Sequence, residues 1–131
     1  MLINEAKWFG DQLSKLGTDF GFPLLNIGSS TLNFRTRGQP WMDAYIFRPL
    51  RENNRTVIHS DIQAGEGVDL VGDLNDDAFI QYLINLGVKS AICSNLLEHV
   101  TNKAHIAETV VRAIPAGGYI FASCPKDCPH H

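Results

Sequence analysis

Apolar positions along the chain change period several times, and each change marks an element. Leu2, Ile3, Ala6, Phe9, Leu13 and Leu16 recur at spacings of three and four, which predicts an amphipathic helix over residues 2–16. Gly17 is placed to end it in the left-handed conformation. The short run Pro23-Leu24-Leu25-Asn26-Ile27, closed by Gly28, reads as a buried strand. Residues 29–55 are the least regular part. Within them Trp41-Met42-Asp43-Ala44-Tyr45-Ile46-Phe47 is amphipathic, and Pro40 suits the first position of a helix. Thr56-Val57-Ile58-His59-Ser60-Asp61 is a second strand, rich in β-branched residues, and Val68-Asp69-Leu70-Val71 a third. Phe79, Ile80, Leu83 and Ile84 stripe a helix that Asn75 or Asp76 can cap and Gly87 ends. Residues 88–94 form a fourth strand. Thr101 or Asn102 opens a helix with Ile106, Val110 and Ala113 on one face, and Tyr119-Ile120-Phe121-Ala122 is a fifth strand.

Alternating strands and helices call for a parallel sheet, because parallel neighbours need crossover connections. The near-continuous apolar strands fit a sheet covered on both faces. The expected fold is therefore α/β: a Rossmann-like parallel sheet of about five strands with helices on both faces. Its 131 residues fit one domain, with an N-terminal helix over residues 1–20, a core over 21–123 and an irregular tail over 124–131.

Composition narrows the function classes. At 44% hydrophobic and 19% charged residues the chain is globular. Its net charge of −3, without clustered Lys or Arg, speaks against nucleic acid as a partner. No apolar run approaches the roughly 18 residues of a membrane span, and the acidic, amphipathic N-terminus does not resemble a signal peptide. Three cysteines fit a reducing cytoplasm better than a disulfide scaffold, which sets the expected location as cytoplasmic.

In such sheets ligands bind beyond the carboxyl ends of the strands, so chemistry is sought there. The first strand ends in Gly28, Ser29, Ser30 and Thr31, a small-residue turn that lets backbone approach a ligand; an ordinary strand-to-helix turn reads the same way. Asp61, at the end of the second, can accept hydrogen bonds from both hydroxyls of a ribose or simply cap its loop. Asp73, after the third, can accept from the exocyclic amine of adenine or cap the helix that follows. The fourth ends in the polar cluster Asn95-Leu96-Leu97-Glu98-His99, where His99 is the side chain best suited to move a proton near neutral pH. The 33 residues between Gly28 and Asp61 exceed the roughly 20 of a dinucleotide fingerprint, and G-x-G-x-x-G is absent, which argues against a nicotinamide cofactor.

The order of these segments resembles a class I S-adenosylmethionine-dependent methyltransferase of the small type 11 kind. The resemblance covers about residues 20–125. Leu24-Leu25-Asn26-Ile27-Gly28-Ser29-Ser30-Thr31, Val57-Ile58-His59-Ser60-Asp61, Val68-Asp69-Leu70-Val71-Gly72-Asp73-Leu74, Ser94-Asn95-Leu96-Leu97-Glu98-His99-Val100 and Ala113-Ile114-Pro115-Ala116-Gly117-Gly118-Tyr119-Ile120 carry it. It implies methyl transfer from S-adenosylmethionine to a small-molecule acceptor. Asn26, Ile27, Gly28, Ser29 and Ser30 would hold the methionine part, Asp61 with Ile62 the ribose, Asp73 with Leu74 the adenine, and Asn95 with Leu96 the wall beside the sulfonium. His99 would be the base if the acceptor must lose a proton, with Glu98 orienting it.

Two departures accompany the resemblance. Asn26 stands where the family usually has an acid, and serines and threonine stand where it has two further glycines. The family's seven strands also exceed the five readable here, which suggests C-terminal truncation and leaves strand five an open edge for self-association or a partner. A degenerate, non-catalytic interaction module is the alternative function. Cys124, Cys128, His130 and His131 match no usual zinc spacing, so no metal site is expected. Cys93 reads as a buried small residue, Trp8, Phe9, Trp41 and Phe47 as core aromatics, and Arg35, Arg37 and Arg48 as a solvated face.

Overall fold

The computed structural model describes residues 1–16, 21–94, 96–97 and 100–124. Five strands form one sheet in the order β3-β2-β1-β4-β5, with every neighbouring pair parallel: β1 (Leu24–Ile27), β2 (Val57–Asp61), β3 (Leu70–Val71), β4 (Ser90–Ser94) and β5 (Tyr119–Ser123). The expected α/β, Rossmann-like parallel sheet is present. The chain adds β2 and β3 on one side of β1, then returns to place β4 and β5 on the other. The strand order thus reverses between β1 and β4, where such sheets open a crevice.

β1 is central and buried at all four residues. Its side chains alternate between the faces as a pleated strand requires: Leu24 joins one core cluster, Leu25 and Ile27 the other. Ala91 and Ile92 of β4 divide in the same way. β5 pairs with β4 alone among the described residues, and Tyr119 and Ile120 are exposed.

The first face is covered by α1 (Ile3–Ser14) and by the segment after β1. The Leu2 N–H donates to Glu5 Oε2 at 2.6 Å, satisfying a donor at the start of α1. Ala6, Phe9 and Leu13 face the core, whereas Leu2 and Ile3 stay exposed, so the buried stripe is shorter than the apolar pattern. Leu16 packs against the core beyond the helix end, and Gly17 lies outside the described residues.

Residues 34–52 depart most from expectation. They form π1 (Phe34–Gly38), a turn α2 (Pro40–Met42) with Pro40 at its start, π2 (Asp43–Phe47) and α3 (Arg48–Glu52). In π1 the Gln39 N–H bonds the Phe34 carbonyl five residues back, at 2.7 Å. Such wide turns shift which residues face inward. Arg35 and Asp43 are turned into the protein, while Arg37 and Arg48 remain exposed. The expected solvated arginine face is therefore corrected at Arg35, which is 3% exposed.

The opposite face is covered by α4 (Asp77–Leu86) and α5 (Lys103–Ala113). Asp76 rather than Asn75 caps α4, accepting from the Ala78 N–H at 3.0 Å. Gly87 ends it in the left-handed conformation at φ 82°. Asn102 rather than Thr101 caps α5 by accepting from the His105 N–H. Ile80, Leu83, Ile106, Val110 and Ala113 pack with Leu25, Ile27 and Val88 into an aliphatic core. No helix among the described residues is long and apolar enough to cross a membrane.

Candidate functional site

Two clefts lie over the carboxyl ends of the strands and share Ile27 and Gly28. The larger, of about 310 Å³, draws its walls from consecutive strand ends. The end of β1 and the residue after it contribute Ile27 and Gly28, the end of β2 and the residue after it Ser60, Asp61 and Ile62, and the segment after β3 Gly72, Asp73, Leu74 and Asn75. Leu96, Val100 and Ile106 close it from the far side. The second, of about 250 Å³, lies toward π1 and α2, lined by Asn26, Ser29, Phe34, Met42 and Ser94 among others. Combined, they fall in the size range of small-molecule sites, roughly 300–1,000 Å³.

Of the residues singled out in the sequence, Ile27, Gly28, Asp61, Ile62, Asp73, Leu74 and Leu96 meet in the larger cleft. Asn26 and Ser29 line the second. Ser30 lines neither but controls Asp61, as its bonds show. Asn95, Glu98 and His99 lie outside the described residues, as do Cys128, His130 and His131 of the tail; Cys124 is exposed and Cys93 buried. No group of three or more His, Cys, Asp or Glu able to hold a metal occurs among the described residues. Trp8, expected in the core, is instead exposed and meets Phe9 and Phe121 edge-on, and the Trp41 Nε1–H donates to the Met1 carbonyl; neither lines a cleft.

The turn after β1 is built by backbone. Gly28 adopts φ 66°, a region costly for a side chain, and a Cβ there would meet Leu96 Cδ1 only at ordinary contact distance, so the conformation rather than crowding calls for glycine. Ser30 is also left-handed, at φ 53°. That conformation sends the Ser30 N–H to Asp61 Oδ2 at 2.8 Å, while Asp61 Oδ1 accepts from the Gln63 N–H at 3.1 Å. The carboxylate is thus held across its loop, and each oxygen retains a lone pair for a ligand hydroxyl. Asp73 does not cap α4; its Oδ1 accepts from the Asn75 N–H at 2.9 Å and the Asn75 amide at 3.2 Å, which fixes it at the cleft rim.

Asn26 is 5% exposed, and its amide nitrogen donates to His59 Nδ1 at 3.0 Å. An amide nitrogen has only hydrogens to offer, so Nδ1 accepts and the ring carries its proton on Nε2. Burial, and then the nearby Arg35 guanidinium, push the His59 pKa down to about 4, so the ring is neutral at physiological pH. Phe47 packs edge-on to it, ring centroids 4.9 Å apart. The Asn26 side-chain amide oxygen, by contrast, has no partner among the described residues, although the residue is buried and lines the second cleft.

His59 and Arg35 are the residues the sequence reading missed. His59 occupies an ordinary strand position, and only its pairing with Asn26 across β1 and β2 reveals it. Arg35 looked like any surface arginine until the π-helical turn buried it. Its guanidinium donates to the Ser30 carbonyl at 2.7 Å, the Ser29 carbonyl at 3.3 Å and the Gly67 carbonyl at 2.9 Å. Burial lowers its pKa, partly offset by Asp69 and Asp43. Asp43 is engaged bidentately by Arg51 at 2.7 and 3.1 Å, which holds its carboxyl below the usual range.

Compared with protein-family models, curated proteins and solved structures, the chain gives no match.

Proposed function

We propose that the paired clefts bind S-adenosylmethionine and that the protein transfers its methyl group to a small-molecule acceptor. One observation carries the reading: two carboxylates, Asp61 and Asp73, stand at the ends of adjacent parallel strands and line the same cleft as the bare backbone of Gly28. An acid after the second strand suits a ribose diol, which needs an acceptor for each hydroxyl hydrogen. An acid after the third suits a donor on the base edge. Ile62, Leu74 and Leu96 offer the apolar surface a flat purine ring requires.

The donor set fits the proposed cofactor. Asp61 retains lone pairs beside its two backbone bonds, and Gly28 leaves open a space that a side chain would narrow. The unpartnered Asn26 oxygen could accept from an ammonium group in the second cleft, as an acid would, without adding charge. Bound S-adenosylmethionine supplies an electrophilic methyl group on its sulfonium. The protein's part is to hold donor and acceptor in line and to exclude water, the source of most of the acceleration in such transfers. His99 is the candidate to take the acceptor's proton.

Calorimetric titration with S-adenosylhomocysteine, with NAD run beside it, tests the reading. Micromolar binding of the first alone is expected. A folded chain that binds neither, or prefers NAD, would refute it.

A further inference from the structure

We infer that Arg35 is the positioning residue of the nucleoside cleft: its guanidinium fixes the turn at residues 29–30 so that the Ser30 N–H holds the Asp61 carboxylate in the orientation a ribose diol needs. The inference rests on the nucleoside reading above.

Arg35 is 3% exposed, yet no carboxylate forms an ion pair with it among the described residues. A buried guanidinium is costly unless its donors are used. Its donors go to backbone: Nη1 to the Ser29 and Ser30 carbonyls, Nη2 to the Gly67 carbonyl. These carbonyls belong to two separate segments, one following β1 and one joining β2 to β3. The Leu32 N–H bonds the Glu66 carbonyl at 2.9 Å alongside, so the segments are latched together at the place where Arg35 enters. A planar fork presents donors from separate nitrogens, Nη1 to one segment and Nη2 to the other, whereas a lysine ammonium offers its three from a single nitrogen.

The link to the cleft is Ser30. Its left-handed backbone turns the carbonyl toward Arg35 and the N–H toward Asp61. A serine holds that conformation only where its surroundings impose it. Arg35 supplies the anchor on one side of the residue and Asp61 reports it on the other. Gly67 fits the same arrangement: it has φ 84°, and a Cβ there would come within 2.8 Å of Arg35 Nη2 and 2.6 Å of Leu32 Cβ. Arg35 lines neither cleft, so its action on a ligand is indirect.

The test is a double-mutant cycle of Arg35→Lys and Asp61→Ala, reading S-adenosylhomocysteine and adenosine affinity by calorimetry and the Ser30 amide proton by NMR. Arg35→Lys is expected to weaken both ligands about tenfold. It should add less than about twofold in the Asp61→Ala background, and the Ser30 amide proton should move upfield. A merely structural arginine would give no such coupling. Unchanged affinity, or an undiminished penalty in the Asp61→Ala background, would overturn the inference. Should wild-type protein bind neither ligand, the functional reading falls, and the Ser30 amide alone decides on Arg35: an upfield move in Arg35→Lys supports it, an unmoved signal overturns it. If Arg35→Lys does not fold, Arg35→Gln, which keeps amide donors for the carbonyls without a buried charge, provides the same readouts with the same expected signs.

Discussion

The two faces of the sheet are built by different means. Under α4 and α5 the packing is aliphatic: Leu25, Ile27, Ile80, Leu83, Val88, Ile106 and Val110 fill it. Both helices there start at a side-chain cap, and α4 ends at a left-handed glycine. Under α1 and residues 34–52, Phe9, Ile46 and Phe47 are joined by the buried Asn26, Arg35 and Asp43, with His59 against Phe47. The face under α4 and α5 holds the sheet together by area removed from water. The face under α1 and residues 34–52 also fixes, through Arg35, the backbone turn that shapes the clefts, while Asp43 is held by Arg51 and Asn26 pairs with His59. A core built of aliphatic side chains tolerates local shifts, whereas a buried guanidinium on three carbonyls specifies one arrangement.

On the aliphatic face, Leu83→Ala removes a fully buried side chain and should cost about 2–5 kcal/mol in urea denaturation. Ligand affinity of the folded fraction should hold, because Leu83 lines neither cleft. A loss of affinity equal to that of Asp61→Ala would break the division between the faces.

The polar face should announce itself through pH. His59 titrates near 4 when folded and near 6.5 in the unfolded chain, so the unfolded state takes up its proton first as pH falls. Stability from the neutral ring is complete above about pH 6.5 and lost progressively down to about pH 4, by at most about 3 kcal/mol. Denaturation midpoints between pH 4 and 7 measure the slope, and His59→Gln should flatten it. An equal slope in that variant would assign the acid sensitivity elsewhere.

The smallest effect belongs to a cap. Asp76→Ala removes the acceptor for the Ala78 N–H and should cost about 1 kcal/mol, without a change in ligand binding.

The same contrast explains what the sequence made legible. Leu83 with Ile80, and Ile106 with Val110 and Ala113, recur at helical spacing, and the caps Asp76 and Asn102 sit at the expected starts. β1 and β4 read as buried runs because they are central. The larger cleft was legible because parallel topology alone directs attention to strand ends, where Gly28, Asp61, Asp73 and Leu96 meet. Within residues 34–52 the helix that opens at Pro40 was legible, but the inward turn of Arg35 and Asp43 was not, because π-helical turns change the period. A propensity or period argument assigns charge to the surface. It cannot foresee an arginine whose partners are carbonyls of residues 29, 30 and 67, contacts created only by the fold. The Asn26–His59 pair was hidden for the same reason, since its members are 33 residues apart in sequence and adjacent only across β1 and β2.

The central claim is that Asp61 holds a ribose diol at the end of β2. The measurement that tests it most directly is S-adenosylhomocysteine affinity in wild-type and Asp61→Ala protein, with both shown to be folded. The account predicts micromolar binding by the wild type and a loss of roughly 1.5–3 kcal/mol in the variant, about tenfold or more in Kd. Equal affinities in the two proteins would contradict it.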